Sequence, residues 1–121
     1  MSVLSPTTRA LVALMTEAPR GPKREGFFAL WLTVRLIEDL ELDPPQPERA
    51  FRRRVTLLEQ RLSSLTLPHP LRRGLVGALA TLRQATGSET SSLLHQLTTP
   101  VRDALGPEAA EVLAKAAKSL R

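Results

Sequence analysis

Apolar residues in the middle of the chain recur at alternating steps of four and three, which draws one apolar stripe along an α-helix. We name this stripe the heptad seam, and it comprises Phe51, Val55, Leu58, Leu62 and Leu65. Arg54 and Arg61 flank the seam on one side, and Arg52 and Glu59 flank it on the other. Such flanking charges select the register and orientation of a partner helix. The pattern therefore predicts a helix that packs against another helix.

The whole chain favours helix. Leu, Ala, Arg and Glu dominate, runs of β-branched residues are missing, and apolar residues recur every three or four positions. With 121 residues the chain is long enough to bury a core, and we expect one all-α domain over residues 1–121. The absence of cysteine removes disulfides, thiolate nucleophiles and zinc–thiolate sites.

Prolines and glycines divide the chain into six predicted helices. Their expected limits are about 6–18, 24–40, 47–65, 71–87, 89–105 and 107–120. The second helix has a wide apolar surface, so we expect it and the third helix to form a central αα-hairpin in a compact bundle of five to six helices. Two prolines, a glycine and three cations over residues 19–24 predict an exposed basic loop, the best candidate for a linker.

Two later helices contain residues that are unusual inside a helix. Pro100 lies within the fifth, and it predicts a kink or break near Thr98. Gly74 and Gly77 lie within the fourth and each weakens it. We interpret these glycines, together with Ala78, as a small-residue surface for close helix approach, in preference to local fraying of the helix.

Four arginines crowd the start of the third predicted helix: Arg49, Arg52, Arg53 and Arg54. Guanidinium groups bind phosphate oxygens, which makes this run a candidate phosphate site. Four acids end the second predicted helix: Glu38, Asp39, Glu41 and Asp43. Because a hairpin turn brings these helix ends together, we favour salt bridges between the two clusters over phosphate binding.

Five other cations have no local excess of acids and form a candidate electropositive face for nucleic-acid backbone: Lys23, Arg24, Arg72, Arg73 and Arg83. Binding of this kind requires them to share one face and weakens steeply with added salt. The formal net charge of +5 also fits such a partner. However, the preference for Arg over Lys resembles GC-rich coding, and four aromatic residues in helical stretches leave few rings for base stacking.

No residue pattern in the chain indicates catalysis. Ser91 precedes His95 by one helical turn, but no acid follows to orient the imidazole and no glycine-rich turn supplies an oxyanion hole. Two isolated histidines do not make a metal site, and the glycines match neither dinucleotide-binding nor P-loop spacing. We therefore expect no catalytic residues, no cofactor, no metal and no small-molecule substrate, although Trp31 is the one large aromatic residue that suits a ligand pocket.

These patterns favour a non-enzymatic interaction or assembly module that dimerises through the heptad seam or by exchanging a helix, and that offers a groove to another protein. Arg54 and Arg61 are expected to set the register of the seam. The same seam also fits an internal core, because packing within and between chains looks identical in sequence. A small basic accessory subunit that binds nucleic-acid backbone is the alternative. The chain lacks a membrane-spanning apolar run and a signal-like start, so we expect a cytoplasmic protein that does not bind membranes.

Overall fold

The computed structural model describes residues 5–39, 48–84 and 90–119. Every regular element in these ranges is an α-helix: α1 (Pro6–Glu17), α2 (Pro22–Asp39), α3 (Glu48–Ser64), α4 (His69–Leu82), α5 (Thr90–Leu105) and α6 (Pro107–Ser119). The predicted all-α bundle is confirmed. The described helix limits agree with the predicted ones to within two residues, with one exception. The predicted end of the fourth helix at Gly87 is wrong, because α4 ends at Leu82 and the Gln84 backbone N–H turns back to the Thr81 carbonyl oxygen (3.1 Å).

The start of the bundle follows local capping rules. Ser5 caps α1 by accepting a hydrogen bond from the Thr8 backbone N–H (3.1 Å), and Pro6 occupies the first helical position, where its missing N–H costs nothing. The predicted basic linker over residues 19–24 is wrong, because α2 already begins at Pro22. Residues 18–21 form a short turn, and Gly21 supplies its positive φ of 127°.

Helix α2 is the central element of the bundle, since it packs against α1, α3, α4 and α5. Helix α5 lies beside it and packs against α2, α4 and α6. Helix α3 packs against α2 as predicted, but it lies at the edge, where its neighbours among the described helices are α2 and α4. The centre of the bundle is therefore α2 with α5, and the predicted central hairpin contributes only one of its two helices to it.

Two glycines lie at close contacts between helices. A Cβ atom on Gly26 would lie 2.8 Å from Leu71 Cδ2 and 3.0 Å from Leu105 Cδ2, which are flexible ends of leucine side chains on α4 and α5. A Cβ atom on Gly74 would lie 2.8 Å from Cγ of Pro100, which confirms the predicted packing role of this glycine. The same prediction is wrong for Gly77, because no atom lies within 4 Å of the corresponding position.

A kink or a break was predicted near Thr98. Helix α5 continues through Pro100, so the break is not present, and the kink stays a prediction. The proline ring packs against the Gly74 backbone of α4, and Leu97 and Val101 on either side of it are buried. Pro100 lacks the N–H that would bond to the carbonyl one turn earlier, and surrounding packing offsets that loss. The energetics of the tertiary structure thus override a local helix-breaking signal.

Candidate functional site

The heptad seam lies inside the chain's own core. Val55 and Leu62 are 0% and 1% exposed, and Phe51 and Leu58 are each 6% exposed. Leu65, at the end of the seam, is half-buried and packs against the same core. These residues meet side chains of α2 and α4, which is the intrachain alternative that the sequence left open.

A groove runs beside the seam between α2 and α3, and we name it the α2–α3 groove. It has a volume of about 780 Å³ and is open to solvent along its length. Its apolar lining consists of Leu32, Leu36, Leu57, Leu58 and Leu65. Its polar lining consists of Arg35, Arg54, Gln60, Arg61 and Ser64. Leu57 is 54% exposed, so the groove presents a large apolar side chain directly to solvent.

The helical repeat explains why these residues share one surface. On α3 the lining residues Arg54, Leu57, Leu58 and Arg61 follow steps of three, one and three, which keeps them on adjoining faces of the helix, and Leu65 directly follows the end of α3. On α2 the lining residues lie within one turn, at positions 32, 35 and 36. Among the described residues, the groove is thus built from these two helical segments and Leu65.

Three arginines border the groove and each is held by a neighbour. The Arg54 guanidinium forms an ion pair with Asp39, with 2.7 Å between Nη1 and Oδ2. The Arg61 guanidinium carbon lies 5.3 Å from the centroid of the Phe28 ring. The Arg35 guanidinium carbon lies 5.9 Å from the centroid of Trp31. Cation–π contacts of this kind reduce the freedom of the side chain while leaving its charge in place.

The predicted pairing of acids with arginines across the hairpin is confirmed at one contact, between Asp39 and Arg54. Glu38 has different partners, because one of its carboxylate oxygens accepts hydrogen bonds from Ser5 Oγ (3.0 Å) and Thr8 Oγ1 (3.2 Å). Two further acids of the predicted cluster, Glu41 and Asp43, lie outside the described residues. Arg54 is thus held by a hairpin contact and faces the groove at the same time.

Two of the five predicted nucleic-acid residues cap the preceding helix. Arg24 donates from Nη2 to the carbonyl oxygens of Ala18 (2.7 Å) and Thr16 (3.1 Å) at the end of α1. Arg72 donates to the carbonyl oxygens of Leu62 (2.9 Å) and Leu65 (2.5 Å) at the end of α3. The carbonyl oxygens of Thr16, Ala18 and Leu65 lie at helix ends, where the regular helical donor is missing, and the arginines supply donors to them. The Leu62 carbonyl also accepts a hydrogen bond from the Leu65 backbone N–H (3.2 Å).

The other three predicted nucleic-acid residues are exposed. Arg83 forms an ion pair with Glu59 of α3, an acid that is distant in the sequence. Lys23 and Arg73 have no hydrogen bond or ion pair among the described residues. Ten residues separate Arg73 from Arg83, which corresponds to about 15 Å of helix. These cations do not form one compact cluster.

The arginine caps could have been found in the sequence. In both cases the arginine follows a helix-initial proline by two residues, as Arg24 follows Pro22 and Arg72 follows Pro70. That position carries the side chain back over the end of the preceding helix. The groove residues outside the seam had no comparable signal, because Leu32, Arg35 and Leu57 acquire their role only from the placement of α3 beside α2.

A second cavity of about 250 Å³ lies where the end of α1 and the start of α2 meet the turn between α5 and α6. Its lining includes Glu17, Lys23 and Glu108, which mix both signs of charge. Trp31 lines neither this cavity nor the groove. Its Nε1 atom is buried and has no hydrogen-bond partner within the described ranges.

The residues considered above for catalysis or metal binding do not form a reactive cluster among the described residues. Ser91 donates a hydrogen bond from Oγ to the carbonyl oxygen of Ala117 (2.7 Å), which ties α5 to the end of α6, and His95 is exposed. Among the described residues, no group of three or more His, Asp or Glu side chains is placed to hold a metal ion. Within residues 5–39, 48–84 and 90–119, no helix combines the length and apolar character needed to cross a membrane.

Comparison of the chain with protein-family models, with curated proteins and with solved structures found no match.

Proposed function

We propose that this protein is a non-enzymatic interaction module that binds a segment of a different protein in the α2–α3 groove. One observation carries the proposal: Leu57 is 54% exposed within a leucine-lined groove of about 780 Å³. Exposed apolar surface with a polar border is typical of interaction sites. Keeping a leucine half exposed does not help the chain to bury its own core.

The charge of the groove favours a different protein over a second copy. A two-fold interface places the same surface on both partners. Groove-to-groove contact would therefore bring Arg35, Arg54 and Arg61 of one copy towards the same three residues of the other. Repulsion between these groups opposes that arrangement unless acids from elsewhere intervene.

Self-association is a second proposal, in a form that differs from simple seam-to-seam contact. Because α3 lies at the edge of the bundle, an exchanged α3 from a second chain would bury the same seam in the same position. Light scattering behind size exclusion tests this form of dimer. A dimer that persists at high salt supports exchange, and a monomer at all protein concentrations rejects it.

Nucleic-acid binding remains the alternative that the net charge suggests. The engagement of Arg24 and Arg72 as helix caps weakens its support, since those guanidinium groups already have acceptors. A titration with labelled duplex DNA and single-stranded RNA over a series of salt concentrations tests it. Tight binding that falls steeply with salt and is lost in the double variant K23Q/R73Q would favour this alternative.

The direct test of the groove is a selection from a displayed peptide library on the full chain. Peptides enriched on the wild type are rescreened on Leu57→Asp, which places a charge in the groove. The matched control is Val76→Asp, since Val76 is an exposed (46%) apolar residue on α4 away from the groove. Both substitutions are at exposed positions, so we expect both variants to fold.

We expect enriched peptides that bind the wild type and Val76→Asp equally but lose binding to Leu57→Asp. Chemical-shift changes on binding should map to the groove residues. Enrichment only of peptides that bind both variants equally would overturn the proposal, and so would a selection that yields no specific binder.

A further inference from the structure

We infer that the segment bound in the α2–α3 groove is an acidic amphipathic helix of about three turns. The inference rests on the proposed function and adds the chemistry and the length of the partner. Two observations carry it, namely the sign of every charged side chain that lines the groove and the length of the α3 segment that forms its wall.

The charges favour an acidic partner. Among the described residues, the groove lining contains three charged side chains, Arg35, Arg54 and Arg61, and no acidic one. Asp39 balances Arg54, whereas Arg35 and Arg61 are stacked on aromatic rings and keep a full positive charge. Guanidinium groups pair with carboxylates in fixed, bidentate geometry, so carboxylates along the edges of a partner meet ready donors.

The dimensions favour a helix. The lining residues of α3 extend from Arg54 to Ser64, ten steps that correspond to about 15 Å of helix. A partner helix of about eleven residues has the same length. Leucines on the two walls can receive apolar side chains at i, i+3, i+4 and i+7, which is the pattern of helix-in-groove recognition. Acids on the flanks of that stripe then face the arginines.

Trp31 provides an internal reporter of binding. It is the only tryptophan in the chain. Its ring contacts Arg35, a lining residue, and lies 5.8 Å from Phe28, whose ring is covered by Arg61. Carboxylates that draw the two guanidinium groups towards a bound helix will change the surroundings of the indole and its fluorescence.

The test uses three synthetic helical peptides of about fifteen residues, stapled so that their helicity is equal. All three carry the same leucine stripe, and their flanking positions hold Glu, Gln or Lys. Binding to the full chain is followed by peptide anisotropy and by Trp31 fluorescence. We expect a Kd on the order of micromolar for the Glu peptide, about tenfold weaker binding of the Gln peptide and no binding of the Lys peptide.

Two variants and a control locate the charge effect. Arg61→Gln should lower the affinity for the Glu peptide about three- to tenfold and leave the affinity for the Gln peptide unchanged. Arg61→Lys should retain most of the affinity for the Glu peptide. Arg73→Gln is the matched control, because Arg73 is an exposed arginine on α4 and should have no effect. Raising the salt concentration should weaken the binding of the Glu peptide only, because salt screens its charge interactions.

The outcomes distinguish a failure of the acidic-helix proposal from a failure of the proposed groove function. If the Gln and Glu peptides bind equally and Leu57→Asp abolishes both, the acidic chemistry is overturned while the groove function stands. If none of the peptides binds, the acidic-helix occupant is overturned, and the library selection then judges the groove independently. If vesicles rich in anionic lipid bind in an Arg61-dependent way and the peptides do not, a lipid surface replaces the helix.

Discussion

The α4–α5 interface contains a small residue at its point of contact, whereas large side chains line the space between α2 and α3. Between α4 and α5, Gly74 faces Pro100, and the missing Cβ lets a proline ring lie directly on the α4 backbone. Between α2 and α3, the facing residues are leucines and arginines, including Leu32, Leu58 and Arg35. The first pair is in close contact at this point, whereas the second leaves a groove of about 780 Å³.

The size of the residues at a helix crossing thus decides whether a pair of helices is closed or can receive a third element. Small residues let two backbones approach, so little space remains between them. Large side chains hold the axes apart and cover only part of the gap. The closed interface stabilises this chain, and the open one supplies the surface on which its proposed function depends.

Replacing Leu62 by alanine should have the largest effect, because it tests whether α3 is anchored by its seam. Leu62 is 1% exposed, and removing a fully buried leucine side chain costs about 2–5 kcal/mol of unfolding free energy. Leu57→Ala is the matched control on the same helix, and at 54% exposure it should change stability by less than about 0.5 kcal/mol. Urea unfolding followed by circular dichroism measures both. Equal losses in the two variants would contradict the division of α3 into a buried seam and an exposed groove wall.

The closed interface is tested by Gly74→Ala. The new methyl group would meet the rigid ring of Pro100 at 2.8 Å, and such overpacking costs about 1–3 kcal/mol. Alanine has a better helix propensity than glycine, which returns less than about 1 kcal/mol, so we expect a net loss of unfolding free energy. Gly77→Ala is the control, because its position is open and alanine there should stabilise the chain by about 0.5–1 kcal/mol. Stabilisation by both substitutions in thermal melts would refute the close contact between α4 and Pro100.

A smaller effect is expected for Arg72→Gln, which tests how the edge helix α3 is held against α4. The substitution removes donors from the carbonyl oxygens of Leu62 and Leu65, at a cost of about 1 kcal/mol because the site is partly exposed. Arg73→Gln, at the next position, is exposed and should be neutral. Hydrogen exchange of the last turn of α3 should rise only in Arg72→Gln. Equal exchange in both variants would show that the arginine cap does not hold this helix end.

Much of the fold could be predicted because its causes are local. The apolar period of α3, the Ser5 cap and the proline-led starts of α1 and α6 each act within one or two turns. The errors arose where distant residues decided the outcome. Pro100 remains inside α5 because Gly74 of another helix accommodates its ring, and no signal near Pro100 announces that. The predicted basic linker at residues 19–24 is shortened, because α2 begins at Pro22 and Arg24 donates hydrogen bonds to carbonyl oxygens at the end of α1.

For the candidate site, the predicted partner residues and the α2–α3 groove overlap on α3. Four of the five seam residues are core, and Leu58 and Leu65 also line the groove. Leu57 is outside the seam pattern, and no local signal announced its exposure of 54%. Arg61 lies over Phe28 of the same chain and lines the groove, and its role in setting register with a partner helix stays a prediction. Periodicity indicates which face is buried, but it does not give the distance between two helices.

The sequence by itself determined the helical class, most helix limits and the amphipathic character of α3, because hydrogen bonding, capping and periodicity operate along the chain. Only the tertiary structure decided which helix is central, which arginines are used as caps and where a groove remains open. These features depend on the sizes and charges of residues that meet from different helices. Their pairing is set by the packing of the whole core, and no single segment contains that information.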